Sequence, residues 1–287
     1  MQRGLAPVLA PVLTLALALA LALLTLTTPV SAEPTWLRSA AAFVETRVLA
    51  PAGPDTARPA WPYVARLSHP TDRYDHDVLG GIPPWSMLEV VALACGACRP
   101  GSESSRVTLP DTLVFEDVAP RLWDVTGDGR PEIVVVESDL ALGARLAVWA
   151  YPASGGALVR IATTDFIGTP HRWLAPVGAG DFDRDGRIEI AYVDRPHLVR
   201  ELVFVRLAGG HLREIARAPG FTAHRIGDTA IASVLRTCSD GRAEVLLPSA
   251  NWTRLLAVQL ADGRVLARDL GAMSVTALRT AGQVPCG

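Results

Sequence analysis

The sequence predicts an all-β fold built from four or five repeated four-stranded units. Three observations lead to this prediction: an acidic loop recurs along the chain, the apolar runs between its copies are short and rich in Val, Ile and Leu, and Gly, Pro and Asp separate these runs. The segment "DVTGDGRPEI" at 124–133 recurs as "DFDRDGRIEI" at 181–190, 57 positions later, and "SDGRAEV" at 239–245 is a weaker third copy. The repeated unit is therefore about 50–57 residues long.

Four apolar runs in each unit predict four strands. The hairpin turns "SGG" at 154–156, "AGG" at 208–210 and "ADG" at 261–263 fall at the same place in successive units. The run "IVVV" at 133–136 is apolar at every position, which indicates a strand covered on both faces. Four-stranded sheets that cover one another in this way are the blades of a β-propeller, which is the architecture that we expect.

The expected strands follow the repeat. They are 120–123, 132–137, 145–150 and 157–161 in the second unit, 172–178, 188–193, 200–206 and 211–215 in the third, and 226–235, 243–247, 254–260 and 264–270 in the fourth. Residues 61–68 and 274–279 are expected to complete the first and last blades by pairing across the termini. The propeller would then occupy 61–287 without an internal domain boundary.

Residues 1–32 predict a signal peptide for export. An uncharged apolar run follows Arg3, and the small residues Ser31 and Ala32 close it. The run also reaches the ~20 residues that a membrane-spanning helix needs, so a retained anchor is the alternative. Prolines within the run and the small residues at its end favour cleavage, and we expect a secreted or periplasmic protein. Residues 33–60 would then form a short helix and a linker.

The charge composition argues against two classes of partner. The chain carries 27 basic and 29 acidic side chains, all the basic ones are arginine, and they form no cluster along the sequence. A net charge of −2 without a basic patch does not suit nucleic acid or an anionic membrane. We therefore expect a monomer, with no membrane contact after signal cleavage, whose partner is a protein or glycan that the sequence does not identify.

Four cysteines would meet an oxidising compartment after export, where disulfides are the default: Cys95, Cys98, Cys238 and Cys286. The "CGAC" motif has the spacing of a redox-active pair, but it follows a strand-like run and no helix follows it, whereas a reactive thiol needs a helix N-terminus. Structural bridges are therefore favoured over thiol exchange and over a zinc site that uses all four residues. The simplest pairing is Cys95–Cys98 with Cys238–Cys286, although the spacing leaves the pairing open.

The acidic loops place oxygen ligands at alternate positions, which suits calcium. In the third unit the expected ligands are the side chains of Asp181, Asp183, Asp185 and Glu189 and the carbonyl oxygen of Arg187. In the second unit they are the side chains of Asp124, Thr126, Asp128 and Glu132 and the carbonyl oxygen of Arg130, one carboxylate fewer, so binding there should be weaker. In the fourth unit Arg236 stands at the first ligand position, so that copy should hold no metal and Arg236 should take its place.

The segments "DVTGDGRPEI" and "VGAGDFDRDGRIEI" resemble the FG-GAP or VCBS repeat, which occurs in the propeller of integrin α subunits and in bacterial secreted proteins. The resemblance extends over 117–196, with a weaker continuation over 170–280. It implies that these loops hold structural calcium between the first two strands of a blade, through Asp124, Asp128, Glu132, Asp181, Asp183, Asp185 and Glu189. The Phe-Gly pair of the family is replaced by "APVGAG", so the ligand mode of integrins is not implied.

Two further sets of residues are candidates for a role. His76, His171 and His224 fall at equivalent places in the repeat and predict one structural task, such as a hydrogen bond between blades. The segment "VDRPH" at 193–197 ends a strand and would present Asp194, Arg195 and His197 as a ligand site at the rim.

The repeated loops predict a binding or adhesion module and not an enzyme. An active site is normally built once, whereas these loops recur, so the metal should be structural, with two calcium ions and no catalytic role. The alternatives are a hydrolase or lyase that acts on polysaccharide or phosphoester at the "VDRPH" face, and a propeller that stays tethered to the membrane by its first segment.

Overall fold

The computed structural model describes residues 63–92, 104–152, 155–284 and 286. In this part of the chain the protein is all-β, with sixteen strands and one helix, α1 (Val275–Gln283). The strands are β1 (Tyr63–Pro70), β2 (Trp85–Ala92), β3 (Ser104–Thr108), β4 (Leu113–Phe115), β5 (Arg121–Trp123), β6 (Glu132–Asp139), β7 (Gly143–Ala150), β8 (Val159–Thr163), β9 (Leu174–Gly180), β10 (Glu189–Asp194), β11 (Glu201–Ala208), β12 (His211–Pro219), β13 (Val234–Thr237), β14 (Ala243–Pro248), β15 (Arg254–Ala261) and β16 (Arg264–Ala272). The expected signal peptide, the 33–60 segment, Cys95 and Cys98 lie outside the described residues.

Antiparallel meanders of four strands repeat along the chain. β5–β8, β9–β12 and β13–β16 each pair in sequence order. β2 pairs with β1 and β3 in the first unit, and β4 links this sheet to the second unit because it pairs with both β2 and β6. We call β1–β3, β4–β8, β9–β12 and β13–β16 the first to fourth units. The meanders confirm the predicted propeller-like, all-β fold of repeated four-stranded sheets.

The units stack face to face, so that strands with apolar residues on both faces are covered on both sides. β9 packs against β6 and β7 on one side and against β13 and β14 on the other. All four residues of the "IVVV" run at 133–136 are fully buried, which confirms the interpretation of this strand. The largest core cluster spans the second, third and fourth units and includes Trp173, Phe182 and Phe204. Apolar side chains from neighbouring units therefore exclude water from both faces of the inner strands.

Two glycines of β9 allow close packing of the third unit against the fourth. A Cβ atom on Gly180 would lie 2.6 Å from the Cβ atom of Ala243, and one on Gly178 would lie 3.0 Å from Leu235 Cδ1. Both distances are shorter than ordinary carbon–carbon contacts. Glycine in "APVGAG" therefore serves the stacking of blades.

The two ends of the stacked sheets carry different loops. Gly180 is opposite Glu189 and Leu174 is opposite Asp194 in the β9–β10 pair, so the loop between these strands lies at one end. β8 and β12 pair in parallel, which gives the second and third units the same direction. Both acidic loops therefore lie at one end, which we call the acidic-loop end, and the segments before β9 and after β10 lie at the opposite end.

The expected strand at 274–279 is wrong, because these residues lie in the capped helix α1. Ser274 Oγ accepts a hydrogen bond from the Ala277 N–H at 2.9 Å, and Leu278 is buried with Leu246 and Leu255 of the fourth unit. Within the described residues β1 pairs only with β2, so the sheets do not close into a ring through the termini. The predicted pairing of 61–68 with 274–279 is therefore also wrong.

The expected strand at 226–235 begins only at Val234. Gly227 has a φ of 91° and donates its N–H to the carbonyl oxygen of Val78 at 3.1 Å. A Cβ atom on Gly80 would lie 2.4 Å from the Gly227 carbonyl oxygen, so the two backbones touch. A loop that contacts the first unit thus replaces the first half of this strand.

A disulfide joins Cys238 to Cys286, one of the two bridges that the sequence suggested. It ties the turn before β14 to Cys286, which lies shortly beyond the end of α1, and the two cysteines are 48 residues apart in the sequence. Closing a loop of that length stabilises the folded state by about 4 kcal/mol in the chain-entropy model. Because both thiols are consumed, a zinc site made of all four cysteines is excluded.

Candidate metal centre

The third-unit loop (181–189) is folded by its own carboxylates. Asp181 accepts hydrogen bonds from the N–H groups of Asp185 (3.1 Å) and Gly186 (3.0 Å). Gly186 has a φ of 80°, which an L-residue with a side chain rarely adopts. Glu189 is fully buried at the start of β10 and accepts from the Phe182 N–H at 3.0 Å. Gly186 therefore permits the sharp reversal of the chain within this loop.

Three of the predicted ligands converge in this loop. Asp181, Asp183 and Glu189 each offer a carboxylate oxygen, and these atoms lie within 4.8 Å of one another. Asp185 turns its side chain to Arg187, whose Nη2 is 2.7 Å from Asp185 Oδ2. Calcium binds carboxylate and carbonyl oxygens, so the chemistry of this donor set fits that ion.

A cation that the sequence analysis missed enters the same cluster. Arg206 on β11 lies opposite Glu189 in the strand register and donates from Nε to Glu189 Oε1 at 2.7 Å. Its Nη1 is 3.0 Å from Asp185 Oδ2, and its Nη2 is 3.3 Å from Asp183 Oδ2. Burial raises the pKa of Glu189, while the Phe182 N–H and the Arg206 guanidinium act in the opposite direction. Finding Arg206 required the β10–β11 register, which the loop motif does not contain.

The second-unit loop (124–132) has the same backbone path. Asp124 accepts from the N–H groups of Gly127 (2.8 Å), Asp128 (3.1 Å) and Gly129 (2.8 Å). Of the described residues, no three acidic side chains of this loop bring oxygens within 4.8 Å of one another. The predicted ligands Asp124 and Asp128 are thus close in the loop but less convergent than those of the third unit.

Glu132, the last residue of the second-unit loop, holds the start of that loop by hydrogen bonds. Its Oε2 accepts from the N–H groups of Val125 (2.9 Å) and Thr126 (3.1 Å), and its Oε1 accepts from Thr126 Oγ1 at 3.1 Å. Burial raises the pKa of Glu132, against the effect of these donors. Continuing the β6–β7 register by one step places Ala150 opposite Glu132, so no arginine corresponds to Arg206 here. The carbonyl groups of Arg130 and Arg187 occupy equivalent positions in the two loops, and their role as ligands stays a prediction.

The fourth-unit loop (236–244) has an arginine in place of the first aspartate. Arg236 donates from Nε to Glu244 Oε2 at 2.8 Å, and its Nη1 donates to the carbonyl oxygens of Ala281 (2.6 Å) and Val284 (2.8 Å). Arg268 Nη2 lies 3.2 Å from Glu244 Oε1. Arg236 thus pairs with the acidic residue at the last ligand position, and that this copy holds no metal stays a prediction.

The rim residues of "VDRPH" divide into two groups. Arg195 binds Asp194 through two hydrogen bonds, Nε to Oδ1 at 2.9 Å and Nη2 to Oδ2 at 2.8 Å. His197 instead faces His224, with 3.0 Å between Nε2 and Nδ1, and stacks on Trp173. The acid and the base thus engage different partners.

The repeated histidines connect neighbouring units at the end opposite the acidic loops. His76 Nδ1 is 2.6 Å from Glu116 Oε1, and His171 Nε2 is 2.8 Å from Asp75 Oδ1. His224 meets His197 of the third unit, as described above. Each of the three histidines thus bridges two units, which confirms their predicted structural task.

Burial affects the protonation of the His197–His224 pair and of Glu116. It lowers the pKa of His197 to about 4, with the neighbouring His224 as the next cause, and it also lowers the pKa of His224. Glu116 is almost completely buried, and burial raises its pKa while His76 opposes the effect. Burial therefore favours the neutral form of the His197 and His224 imidazoles.

In the part of the chain that the structure describes, no helix has both the length and the hydrophobicity that crossing a bilayer requires. This finding concerns only those residues.

Comparison with known proteins identifies the repeat. Residues 124–192 match the model of the FG-GAP-like repeat. No curated protein matches the sequence significantly. A crystal structure of a protein from Lactobacillus plantarum is similar at 13% identity and a TM-score of 0.36, over 66% of this chain and 51% of that one. The chain spans about half the length of that protein. The second and third units, with both acidic loops, thus contain an FG-GAP-like repeat.

Proposed function

We propose that this chain is an exported, calcium-stabilised binding or adhesion module with a propeller-like fold. The convergence of three carboxylate oxygens from Asp181, Asp183 and Glu189 carries the proposal. A divalent cation offsets the mutual repulsion of such a group and needs no catalytic partner. β9 ends at this loop and β10 begins there. An ion held in the loop would therefore stabilise the first two strands of the third unit.

The ion would have a structural task in each of two loops. Asp181, Asp183, Asp185, Glu189 and the Arg187 carbonyl would hold it in the third unit, and Asp124, Thr126, Asp128, Glu132 and the Arg130 carbonyl in the second. When bound, calcium supplies positive charge and a flexible coordination of six to eight oxygens. Saturation by ligands from the loop leaves few positions for a substrate, which supports a structural role.

Two observations support binding over catalysis. Asp194 and Arg195 neutralise each other, and His197 is held between His224 and Trp173. These side chains, which the enzyme alternative would use, are engaged in pairs. Protein or glycan ligands are the classes that we propose for a monomer with this near-neutral composition.

The Cys238–Cys286 disulfide supports export. Disulfides form and persist in secreted and periplasmic proteins and are rare in a reducing cytosol. A secreted or periplasmic location would also expose the acidic loops to extracellular concentrations of calcium, at which modules of modest affinity are loaded.

Calcium titration into chelator-treated protein tests the proposal. Isothermal calorimetry should detect two sites in the wild type, and Asp183→Asn should abolish or weaken one of them by about tenfold or more. Asp240→Asn is the matched control, since Asp240 lies in the fourth-unit loop, where Arg236 already pairs with Glu244. The calcium assignment would be refuted if the wild type gave no heat of calcium binding. It would also be refuted if Asp183→Asn and Asp240→Asn lost calcium affinity equally.

A further inference from the structure

We propose that Arg206 is a built-in counter-cation of the third-unit loop. It keeps the loop folded without a metal and competes with a divalent cation for the same carboxylates. The second half of this inference rests on the proposed calcium function, whereas the first half does not.

The contacts of Arg206 place one positive charge among three negative ones. Its guanidinium contacts Glu189 and Asp183, which are two of the three converged carboxylates. It also contacts the neighbouring Asp185. An arginine remains protonated throughout the pH range in which proteins are folded, and its planar fork presents five donors. The loop therefore has a permanent cation that does not depend on solution conditions.

The position of Arg206 makes this contact a property of the fold. Arg206 belongs to β11 and is paired with Glu189 across the sheet, so the hairpin register delivers its side chain to the loop. The Arg206 side chain is only 14% exposed and Glu189 is fully buried. Low exposure strengthens such an ion pair relative to one at the surface.

The other two units offer built-in comparisons. The residue opposite Glu132 is Ala150, so in the second unit the buried carboxylate depends on backbone N–H donors and on Thr126. The residue opposite Glu244 on β15 is Gln259 by continuation of the β14–β15 register, and Arg236 on the other neighbouring strand, β13, supplies the cation. Two of the three buried glutamates thus face an arginine, and each arginine comes from a different element.

Competition follows from the shared atoms. A calcium ion in the third unit would need oxygens of Asp183, Asp185 and Glu189 that now accept from Arg206 or lie beside it. Binding must therefore displace the guanidinium or share those oxygens with it, which weakens affinity. In the second-unit loop, Ala150 is opposite Glu132 in the strand register, so no arginine reaches this buried glutamate from β7.

Arg206→Gln tests both halves, with Arg217→Gln as the matched control. Arg217 lies on the neighbouring strand β12 and also pairs with several acids, Glu201 and Glu214 among them, but it touches none of the loop carboxylates. In chelator, the Arg206→Gln protein should melt at a lower temperature than the wild type, because its third-unit loop has lost its counter-cation. In calcium titrations it should bind one ion about tenfold more tightly than the wild type, whereas Arg217→Gln should leave calcium affinity unchanged.

The outcomes separate the two halves. If Arg206→Gln melts in chelator at the wild-type temperature, the role in folding the loop is overturned. If it binds calcium no more tightly than Arg217→Gln does, the competition is overturned. If neither the wild type nor Arg206→Gln binds calcium, the proposed calcium function fails, and the chelator melt alone decides the folding role.

A second variant guards against misfolding. Arg206→Lys keeps the charge but loses the fork that spans three carboxylates. It should melt in chelator between the wild type and Arg206→Gln, with an intermediate calcium affinity. A lysine variant that equals the glutamine variant in both measurements would show that charge is not the operative property.

Discussion

Each acidic loop ends on a buried glutamate, and the three glutamates show how one residue type is accommodated in three ways. Glu132, Glu189 and Glu244 are 6%, 0% and 2% exposed. Burying a carboxylate without partners would be costly, so each is matched by N–H donors or by an arginine. Glu132 and Glu189 therefore organise the backbone of their loops, whereas Glu244 is paired with Arg236.

Glu132→Ala should destabilise the protein by about 1–3 kcal/mol, because the Val125 and Thr126 N–H groups would lose the carboxylate oxygen that accepts from them. Chemical denaturation in chelator measures the change. Asp262→Asn, at an exposed turn, is the control and should stay within about 0.5 kcal/mol of the wild type. A Glu132→Ala variant as stable as the wild type would contradict the assigned backbone contacts.

The His197–His224 pair predicts acid sensitivity. The pKa of His197 is about 4 in the folded protein against 6.5 when unperturbed, so the unfolded chain binds the proton more readily between these values. Stability should therefore fall as pH decreases from 6.5 to 4, by on the order of 1–2 kcal/mol for this half-buried ring. His197→Gln should flatten that part of the profile. Parallel pH profiles of variant and wild type would contradict the prediction.

At the residue scale the proximity of the loop carboxylates could be predicted, and the contact with Arg206 could not. The aspartates occupy alternate positions of one short segment, so their proximity follows from local geometry. Arg206 is 17 residues from Glu189 and meets it only through the pairing of β10 with β11. Its role therefore becomes visible only when the register is known.

Among the elements, β9 is the most constrained, since it lies between two neighbouring sheets. Gly180→Ala should destabilise the protein by about 1–3 kcal/mol, because the added methyl group would overlap Ala243. Thermal melts measure the loss. Ala243→Gly in the same chain should recover part of it by removing the opposing methyl group, and a double variant no better than Gly180→Ala alone would argue against this contact.

The helix α1 shows where an element was misassigned. The repeat predicts a strand at 274–279 to complete the last blade, whereas Ser274 provides the N-cap of a helix and Leu278 anchors one helical face on the fourth unit. Ser274, a residue type favoured at the N-cap, indicates in the sequence that a helix begins here. Tertiary packing, together with the disulfide to Cys286, decided between the two conformations.

Over the whole molecule, repetition made the fold predictable. A period of about 55 residues, with four apolar runs in each unit, implied stacked four-stranded sheets, and the meanders confirm it. Ring closure depends on where the first and last units meet, which no local pattern encodes. In the described residues, contact between the first unit and the loop at Gly227 stands in place of strand pairing through the termini.

Calorimetric unfolding of the intact protein in excess calcium and in chelator tests the central claim most directly. An ion that binds only the folded state adds about 2.7 kcal/mol at one hundred times its dissociation constant. For a chain of this size we expect an upward shift in melting temperature of roughly 5–10 °C, diminished in a variant that combines Asp124→Asn with Asp183→Asn. Identical melts in calcium and chelator would show that both loops are only turns and would contradict a calcium-stabilised module.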